Sequence, residues 1–189
     1  MNIAIVGATG NVGRKLIEVL EKKKFPISEL FLVASSKSEG KKISYSGKEY
    51  TVIDLEKFDF SNVKIAFFAA GSLIAEKWAH IAAEKTIVID NSKFFRKDPE
   101  IPLVVPEVNS KELAQVKNKN IIANANCSVI PLVVALKPLH DLYNVKRIVV
   151  STYQSVSGAG KDAMDELASQ TQEFFQNKKL ESKYFTKQI

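Results

Sequence analysis

The sequence predicts an α/β protein built on a doubly wound, mainly parallel sheet. Short runs of four or five apolar residues alternate along the chain with segments of helical periodicity. Runs that are apolar throughout are typical of strands buried on both faces, as in a parallel sheet covered by helices. A glycine-rich turn follows the first of these runs. The pattern therefore predicts helices on both faces of the sheet, followed by the start of an α+β domain.

The first two thirds of the chain supply the predicted sheet. Its strands are expected at Asn2–Val6, Leu30–Ala34, Ile65–Ala69, Thr86–Ile89 and Ile121–Ala123. Apolar periodicity predicts helices at Asn11–Lys24, Leu73–Glu84 and Val108–Lys117. In the first helix the expected apolar face consists of Val12, Leu16, Val19 and Leu20. Alternation around Ser46-Gly47 predicts a hairpin over residues 43–52, and residues 93–106 are expected to form a proline-containing loop.

The character of the sequence changes after Leu139. A strand is predicted at Arg147–Thr152 and a long helix at Lys161–Phe175. The expected apolar side of that helix consists of Met164, Leu167, Ala168 and Phe175. We place the boundary between two domains so that residues 1–125 form the first and residues 126–189 begin the second.

Composition excludes several classes of function. The net charge is +6 over 189 residues, but only three residues are Arg, without the Arg clusters or interleaved aromatics of a nucleic-acid module. One Cys and two His offer no zinc ligand set, and no apolar run is long enough to cross a membrane. A single Cys forms no intramolecular disulfide, which fits the cytoplasm. The basic balance also suits an anionic small molecule as partner.

The segment GATGNVG places Gly7, Gly10 and Gly13 between the first predicted strand and the first predicted helix. Small residues there let the backbone approach a pyrophosphate, and the N-terminus of the helix presents N–H groups and a partial positive charge. In this position the pattern favours dinucleotide binding. The alternative is a tight turn without a ligand.

The second predicted strand leads into Ser35, Ser36, Lys37 and Ser38. NAD-binding proteins usually carry an acidic residue at this point, where it bonds to the ribose hydroxyls. Here the first carboxylate is Glu39, and hydroxyls and a cation precede it. Such a set would receive a 2′-phosphate, so we expect NADP. The alternative is a polar turn with a solvated lysine.

Cys127 lies between Asn126, a residue type suited to a helix N-cap, and an apolar stretch of helical length. The N-terminus of a helix stabilises a thiolate through N–H groups and the positive end of the dipole. Cys127 is therefore a candidate nucleophile, with a small buried apolar residue as the alternative. Residues 158–160 (GAG) offer a second turn for an anion or cofactor, or a simple entry into the helix that follows.

Seven segments together resemble aspartate-semialdehyde dehydrogenase: GATGNVG, the serine and lysine turn, FFAAGS, DNSKFFR, VVPEVN, ANANCSVI and STYQSVSGAGKDAMDEL. They occur in the order of that family and cover essentially the whole chain. The resemblance implies a Rossmann-type NADP-binding domain followed by a catalytic and dimerisation domain. It also implies a cytoplasmic homodimer that reduces L-aspartyl-4-phosphate to L-aspartate 4-semialdehyde and phosphate, in the biosynthesis of lysine, methionine and threonine.

The resemblance also implies residue roles. Cys127 matches the nucleophile, and Gln154 matches the glutamine that orients the acyl intermediate. Arg96 and Asn126 match contacts of the substrate phosphate. Cofactor contacts are implied at Thr9, Gly10, Asn11, Val12, Lys37, Ser38, Ser157 and Gly158, and no metal is implied. Where this chain has Lys37, the family more often has Arg, so the bidentate geometry of phosphate recognition is in doubt.

No general base is evident in the sequence. His140 follows Cys127 by 13 residues, about 20 Å along a continuous helix, and His80 is expected to be a surface or packing residue. We expect the base beyond Ile189, in a part of the catalytic domain that the sequence lacks. Two hypotheses follow: the dehydrogenase, or a non-catalytic NADP-binding module of the same origin. A third, N-acetyl-glutamyl-phosphate reductase, would require glycine before the cysteine and an aromatic residue after it.

Overall fold

A parallel seven-stranded sheet lies at the centre of residues 1–148 in the computed structural model, which describes residues 1–186. The remaining described residues, 149–186, form a second unit. The strands of the sheet are β1 (Asn2–Val6), β2 (Glu29–Ala34), β5 (Ile53–Asp54), β6 (Ile65–Phe68), β7 (Ile87–Asp90), β8 (Leu103–Val104) and β9 (Ile121–Asn124). A separate antiparallel hairpin consists of β3 (Lys42–Tyr45) and β4 (Lys48–Thr51). The predicted α/β class and the hairpin are thereby confirmed.

The order of the strands in the sheet is β5-β2-β1-β6-β7-β9-β8, and the paired strands are parallel. β1 lies between β2 and β6, so the chain moves outward from β1 in both directions. In sheets of this kind the crevice at the carboxyl ends of the two strands flanking such a switch point is where ligands bind. The outermost strands, β5 and β8, contain two residues each.

Helices cover the two faces of this sheet, as the alternation of side chains in β1 makes clear. Ile3 and Ile5 belong to one buried cluster, together with residues of α1 (Asn11–Lys22). Ala4 and Val6 belong to a second cluster, together with alanines of α2 (Ser72–Ala83). Successive side chains of a strand point to opposite faces, so α1 and α2 cover opposite faces and the sheet is doubly wound. The other helices of this unit are α3 (Pro106–Asn109) and α4 (Val129–Tyr143).

The buried face of α1 differs from the predicted one. Gly13, Ile17 and Leu20 are buried, whereas Val12 and Val19 are exposed. The buried residues follow the i, i+4, i+7 spacing of a helix face, and a glycine provides the first contact. The prediction was right for Leu20, which is buried, and for Leu16, which packs against the same cluster. It was wrong for Val12 and Val19, and it missed Ile17 and a glycine that packs by its backbone.

Two further predictions in this unit needed correction. The loop predicted over residues 93–106 contains a 3₁₀ turn, Phe95–Lys97, and the short strand β8. The helix predicted over residues 108–117 is divided between α3 and a 3₁₀ segment, Ser110–Asn118. Neither β8 nor α3 exceeds four residues, and segments so short have no periodicity that a sequence could display.

The strand predicted over residues 147–152, where the first unit ends and the second begins, is wrong. Residues 145–155 adopt neither helix nor strand, and Val149 and Val150 are exposed. A strand requires hydrogen bonds from a neighbouring strand, and no described residue provides them for this segment. Its β-branched residues nevertheless account for the prediction.

The long helix of the second unit, α5 (Lys161–Phe175), has the predicted bounds but a different buried side. Ala163, Glu166 and Gln170 are its buried residues, whereas Met164, Leu167 and Phe175 are exposed. The carboxylate of Glu166 accepts hydrogen bonds from Gln170 and from the backbone N–H groups of residues 183–185. A charged side chain therefore lies on the buried side because the returning chain supplies its hydrogen-bond donors. No helix in residues 1–186 combines the length and the apolar character needed to cross a lipid bilayer.

The close approach of α1 to the β1–α1 loop can be tested at Gly13. A Cβ atom at Gly13 would lie 2.2 Å from the carbonyl oxygen of Gly7 and 2.8 Å from Cα of Ala8. We expect Gly13→Ala to lower the free energy of unfolding, measured in urea, by about 1–3 kcal/mol, the usual cost of overpacking. The matched control is Gly10→Ala, because a Cβ at Gly10 lies 3.4 Å from its nearest neighbour. Equal losses in the two variants would show that the close contact is not what requires glycine at position 13.

Candidate active site

The glycine loop between β1 and α1 lies directly against the ends of the two neighbouring strands. The N–H groups of Gly7 and Ala8 donate to the carbonyl of Val33, in β2, at 2.8 and 3.1 Å. Gly7 has φ of +87°, and a Cβ there would lie 2.7 Å from the carbonyl group of Ala69, just beyond β6. The loop is therefore fixed at the switch point of the sheet. Its surface next to the crevice consists of backbone and small side chains, which is the requirement for a phosphate-binding turn.

The other residues predicted from this motif lie in the same place. Gly10 precedes α1 in an extended conformation, and Asn11 and Val12 form the exposed beginning of the helix. Val12 is exposed there, as single apolar side chains on a protein surface commonly are.

The serine turn that follows β2 contacts the glycine loop through Ser38. Ser36–Ser38 form a 3₁₀ turn, in which Ser38 is buried and Ser35, Ser36 and Lys37 are exposed. The Thr9 hydroxyl donates to the Ser38 hydroxyl at 3.5 Å. The structure thus brings together two segments that the sequence separates by almost thirty residues, and both belong to the predicted cofactor site.

Cys127 is exposed in a turn between β9 and α4. Asn126 organises this turn, since its side-chain oxygen accepts from the N–H of Ser128 at 2.9 Å. The carbonyl of Asn126 accepts from the N–H groups of Val129 and Ile130, both at 3.0 Å. The regular helix begins at Val129, with Ser128 at its N-cap and no side-chain capping bond. Asn126 therefore stabilises the turn before the helix instead of capping it as predicted, and Cys127 precedes the helical turn in which it was expected. The thiol lies at the N-terminal end of α4, with the Ser128 hydroxyl 4.0 Å from its sulfur.

Arg96 links the ends of β7 and β9. Its Nε donates to the carbonyl of Asn124 at 2.9 Å, and one terminal nitrogen donates to the carbonyl of Asn91 at 2.9 Å. An arginine has five N–H donors, so these bonds fix the guanidinium and leave further donors for another acceptor. Asn124 precedes Cys127 by three residues, which places their Cα atoms within about 11 Å of each other. The cation therefore lies beside the segment that leads to the thiol.

A polar network next to Arg96 was not predicted from the sequence. The Asn124 side chain donates to the Asn91 side chain at 2.6 Å. Asp90, the last residue of β7, is fully buried and accepts from both the N–H and the hydroxyl of Ser92. The sequence did contain an indication of this network. Asp90 and Asn91 follow an apolar run, and the residues that follow a buried parallel strand lie at the carboxyl edge of the sheet.

Three predicted site residues belong to the second unit. Gln154 precedes a 3₁₀ turn, Val156–Ala159, and Ser157 and Gly158 lie within it. The side chain of Ser155 accepts from the N–H of Ser157 at 3.3 Å, and Gly158 is exposed in the same turn. Gln154 is exposed and donates to the Thr152 hydroxyl at 3.1 Å. Gly160 has φ of +104° at the entry to α5, a conformation that favours glycine.

The two histidines lie where the sequence analysis expected them. His80 is exposed on α2, and its ring contacts the edge of Phe95 with 5.2 Å between the ring centroids. His140 belongs to the last turn of α4, about 16 Å along the axis from Val129. Among the described residues no group of three His, Cys, Asp or Glu side chains could hold a metal ion.

Comparison with known proteins identifies the family of this chain. The family described as semialdehyde dehydrogenase, NAD binding domain, matches residues 2–116. The chain belongs to the semialdehyde dehydrogenase family. The dimerisation domain of the same family matches residues 136–189. The predicted relationship and the predicted fold class are confirmed, whereas the boundary between residues 125 and 126 stays a prediction.

The relatives include aspartate-semialdehyde dehydrogenases from several bacteria and from Candida albicans. Aspartate-semialdehyde dehydrogenase 2 of Vibrio cholerae is 53% identical over all 189 residues, which correspond to 56% of its length. The crystal structure of the enzyme from the same organism, complexed with ASA, has a TM-score of 0.95 at 52% identity and covers 100% of this chain and 56% of that one. The enzyme from Candida albicans, solved with NADP, has a TM-score of 0.63 at 28% identity over 76% of this chain and 48% of that one. The chain thus spans about half the length of these relatives.

The two hydrogen bonds that Arg96 donates to backbone carbonyls should stabilise the fold. We expect Arg96→Ala to lower the free energy of unfolding by about 1–3 kcal/mol, because the carbonyls of Asn91 and Asn124 lose a charged donor. The control is Lys97→Ala, at the exposed neighbouring position, with an expected change within about 0.5 kcal/mol. Urea unfolding measures both, and indistinguishable values would contradict the bridging role.

The buried carboxyl group of Asp90 should make the free energy of unfolding depend on pH. Burial raises the pKa of Asp90 above its ordinary value of 3.8, against the weaker opposing effects of the two bonds from Ser92 and the charge of Arg96. Stability therefore falls, through this group, as the pH rises from 3.8 past the raised pKa. Asp90→Asn lacks this dependence, so we expect the variant to gain stability relative to the wild type as the pH rises, measured by urea unfolding between pH 3.5 and about 7.

The control for Asp90 is Asp59, which makes the same two bonds with Ser61 at an exposed position. Those bonds lower the pKa of Asp59 below 3.8. Asp59→Asn should therefore lose stability relative to the wild type as the pH rises towards 3.8 and above. A change of the same sign in the two variants would contradict the effect assigned to burial.

Proposed function

We propose that this chain is the cofactor-binding and nucleophile-bearing part of an NADP-dependent aspartate-semialdehyde dehydrogenase. The reaction would be the reduction of L-aspartyl-4-phosphate to L-aspartate 4-semialdehyde and phosphate, in the cytoplasm, as a step towards lysine, methionine and threonine. The observation that carries the proposal is Cys127, an exposed thiol at the N-terminal end of α4, close along the chain to the strand that holds Arg96.

The cofactor site fits a dinucleotide with a 2′-phosphate. The glycine loop, with Thr9 to Gly13, would receive the pyrophosphate at the N-terminal end of α1. The serine turn, with Lys37 exposed, would receive the 2′-phosphate. Both oxygens of the Glu39 carboxylate accept from Lys57 at 2.9 Å, so this carboxylate is engaged away from a ribose. These contacts support NADP rather than NAD.

The chemistry of the thiol follows from its position. The Cys127 thiolate would attack the acyl carbon of the aspartyl phosphate, and the C–O bond to phosphate would break, leaving a thioester on the enzyme. A hydride for this carbon would come from the reduced nicotinamide cofactor, NADPH, when it is bound. The C–S bond then breaks, which releases the aldehyde and restores the thiolate.

The phosphate group would be held by Arg96 and Asn126. Arg96 is suited to this role because its guanidinium is already oriented by two carbonyls and keeps donors for phosphate oxygens. Its burial is intermediate, so a bound anion would be partly shielded from water, which strengthens the interaction. Gln154 would orient the acyl group, and Ser157 and Gly158 would contribute to the cofactor site.

The relatives support the substrate, the cofactor and the assembly. The enzyme of Vibrio cholerae was solved with ASA, and that of Candida albicans with NADP. Because residues 136–189 match a dimerisation domain, a homodimer is proposed as well.

A second candidate is a non-catalytic NADP-binding module of the same family. The observation in its favour is that neither described histidine is placed as a base for Cys127, since one lies far along α4 and the other packs on Phe95. The two candidates differ in turnover and agree on cofactor binding.

An assay of aldehyde oxidation decides between them. With L-aspartate 4-semialdehyde, phosphate and NADP, the dehydrogenase is expected to form NADPH, followed at 340 nm. Cys127→Ala should abolish turnover and leave the affinity for NADP within about twofold, because the thiol is not needed for dinucleotide binding. NADP binding by the wild type without turnover would favour the non-catalytic module. Binding of neither dinucleotide would contradict both candidates.

A further inference from the structure

A second lysine reaches the serine turn from a part of the chain that the sequence motifs do not include. The ammonium group of Lys41, just before β3, donates to the Ser38 hydroxyl at 3.4 Å. That hydroxyl also accepts from Thr9 of the glycine loop, at 3.5 Å. Lys41 thus places its charge at the turn where a 2′-phosphate would bind, and it does so through a residue already in contact with the glycine loop.

The backbone holds Lys41 in this position from both sides. Its N–H donates to the carbonyl of Ser38 at 3.2 Å, and its carbonyl accepts from the N–H of Val52 at 2.8 Å. Val52 is buried in the core, and the preceding Gly40, with φ of +79°, donates to the carbonyl of the same residue at 3.0 Å. The base of the side chain is therefore fixed against the hydrophobic core, and only its flexible end remains to be ordered by a ligand.

The charges around the turn leave this ammonium available to an anion. Glu39 is paired with Lys57, and the carboxylate of Asp54 is buried and accepts from the N–H of Glu56. In the part of the chain that the structure describes, Lys41 has no carboxylate partner within salt-bridge distance. A further cation, Arg14, donates to the carbonyl of Thr9 at 3.2 Å. The surroundings of Ser38 are therefore positive, as a phosphate dianion requires.

A second lysine would supply a phosphate contact that Lys37 cannot make by itself. Lys37 offers one compact ammonium group and cannot make the bidentate contact that an arginine makes with a phosphate. A second ammonium group, that of Lys41 at the Ser38 hydroxyl, would contact another oxygen of the same phosphate.

We propose that Lys41 is a specificity-determining residue that binds the 2′-phosphate of NADP together with Lys37 and Ser38. It selects NADP over NAD because NAD carries a neutral hydroxyl at this position. The assignment rests on the NADP site of the proposed function and adds to it a residue outside the glycine and serine motifs.

Calorimetric titration of the full chain with NADP and with NAD tests this assignment. The variants are Lys41→Ala, Lys37→Ala and Lys41→Arg, with Lys42→Ala as the matched control. Lys42 is the adjacent lysine, and its ammonium group pairs with Glu49 at 2.8 Å. For Lys41→Ala we expect the affinity for NADP to fall by about 10-fold or more, the effect of losing one charged hydrogen bond.

The affinity for NAD should stay within about twofold in Lys41→Ala, because the lost contact involves only the phosphate. Lys41→Arg should retain NADP affinity, and Lys42→Ala should change neither affinity by more than about twofold, the expectation for a solvated surface pair. Losses that are equal for NADP and NAD in Lys41→Ala, or an unchanged NADP affinity, would overturn the assignment while the proposed function stands. A wild-type chain that binds neither dinucleotide would overturn the proposed function and this assignment with it.

Discussion

Backbone lies against backbone where the β1–α1 loop meets the rest of the sheet. Gly13 of the helix contacts the carbonyl of Gly7, and Gly7 in turn lies against the carbonyl group of Ala69. Because no side chain separates these segments, the beginning of α1 points into the crevice above β1. The glycine loop and the first helical turn take their positions from this contact, so the proposed cofactor site depends on space that any side chain would fill.

The sequence was sufficient for most of the parallel sheet, because strands buried on both faces are apolar at nearly every position. It did not predict the buried face of a helix where glycine or a charged residue takes part in the packing. Gly13 belongs to the buried face of α1, and Glu166 belongs to that of α5 through donors supplied by a distant segment. The strand expected over residues 147–152 shows the opposite error, since its apolar residues have no neighbouring strand among the described residues.

The sequence suggested candidate residues for the site but not the contacts that hold them in place. Cys127 and Arg96 were recognised from short motifs, each within a few residues of a strand end. The bonds from Arg96 to two strand ends, and the position of Lys41 beside Ser38, join residues that are far apart in sequence or lie outside any motif. Such contacts follow from strand order, which periodicity alone does not determine.

The two-residue strands at the outer edges of the sheet have a consequence for how the protein meets other molecules. An exposed strand of normal length offers a row of unpaired backbone groups on which a foreign peptide can extend the sheet. β5 and β8 offer two residues each, too few for a stable added strand, while the longer strands lie inside. Each outermost strand also pairs with only two residues of its neighbour, Val33 and Ala34 of β2 and Ala123 and Asn124 of β9. The brevity of β5 and β8 therefore limits the pairing of a foreign strand with these two elements themselves.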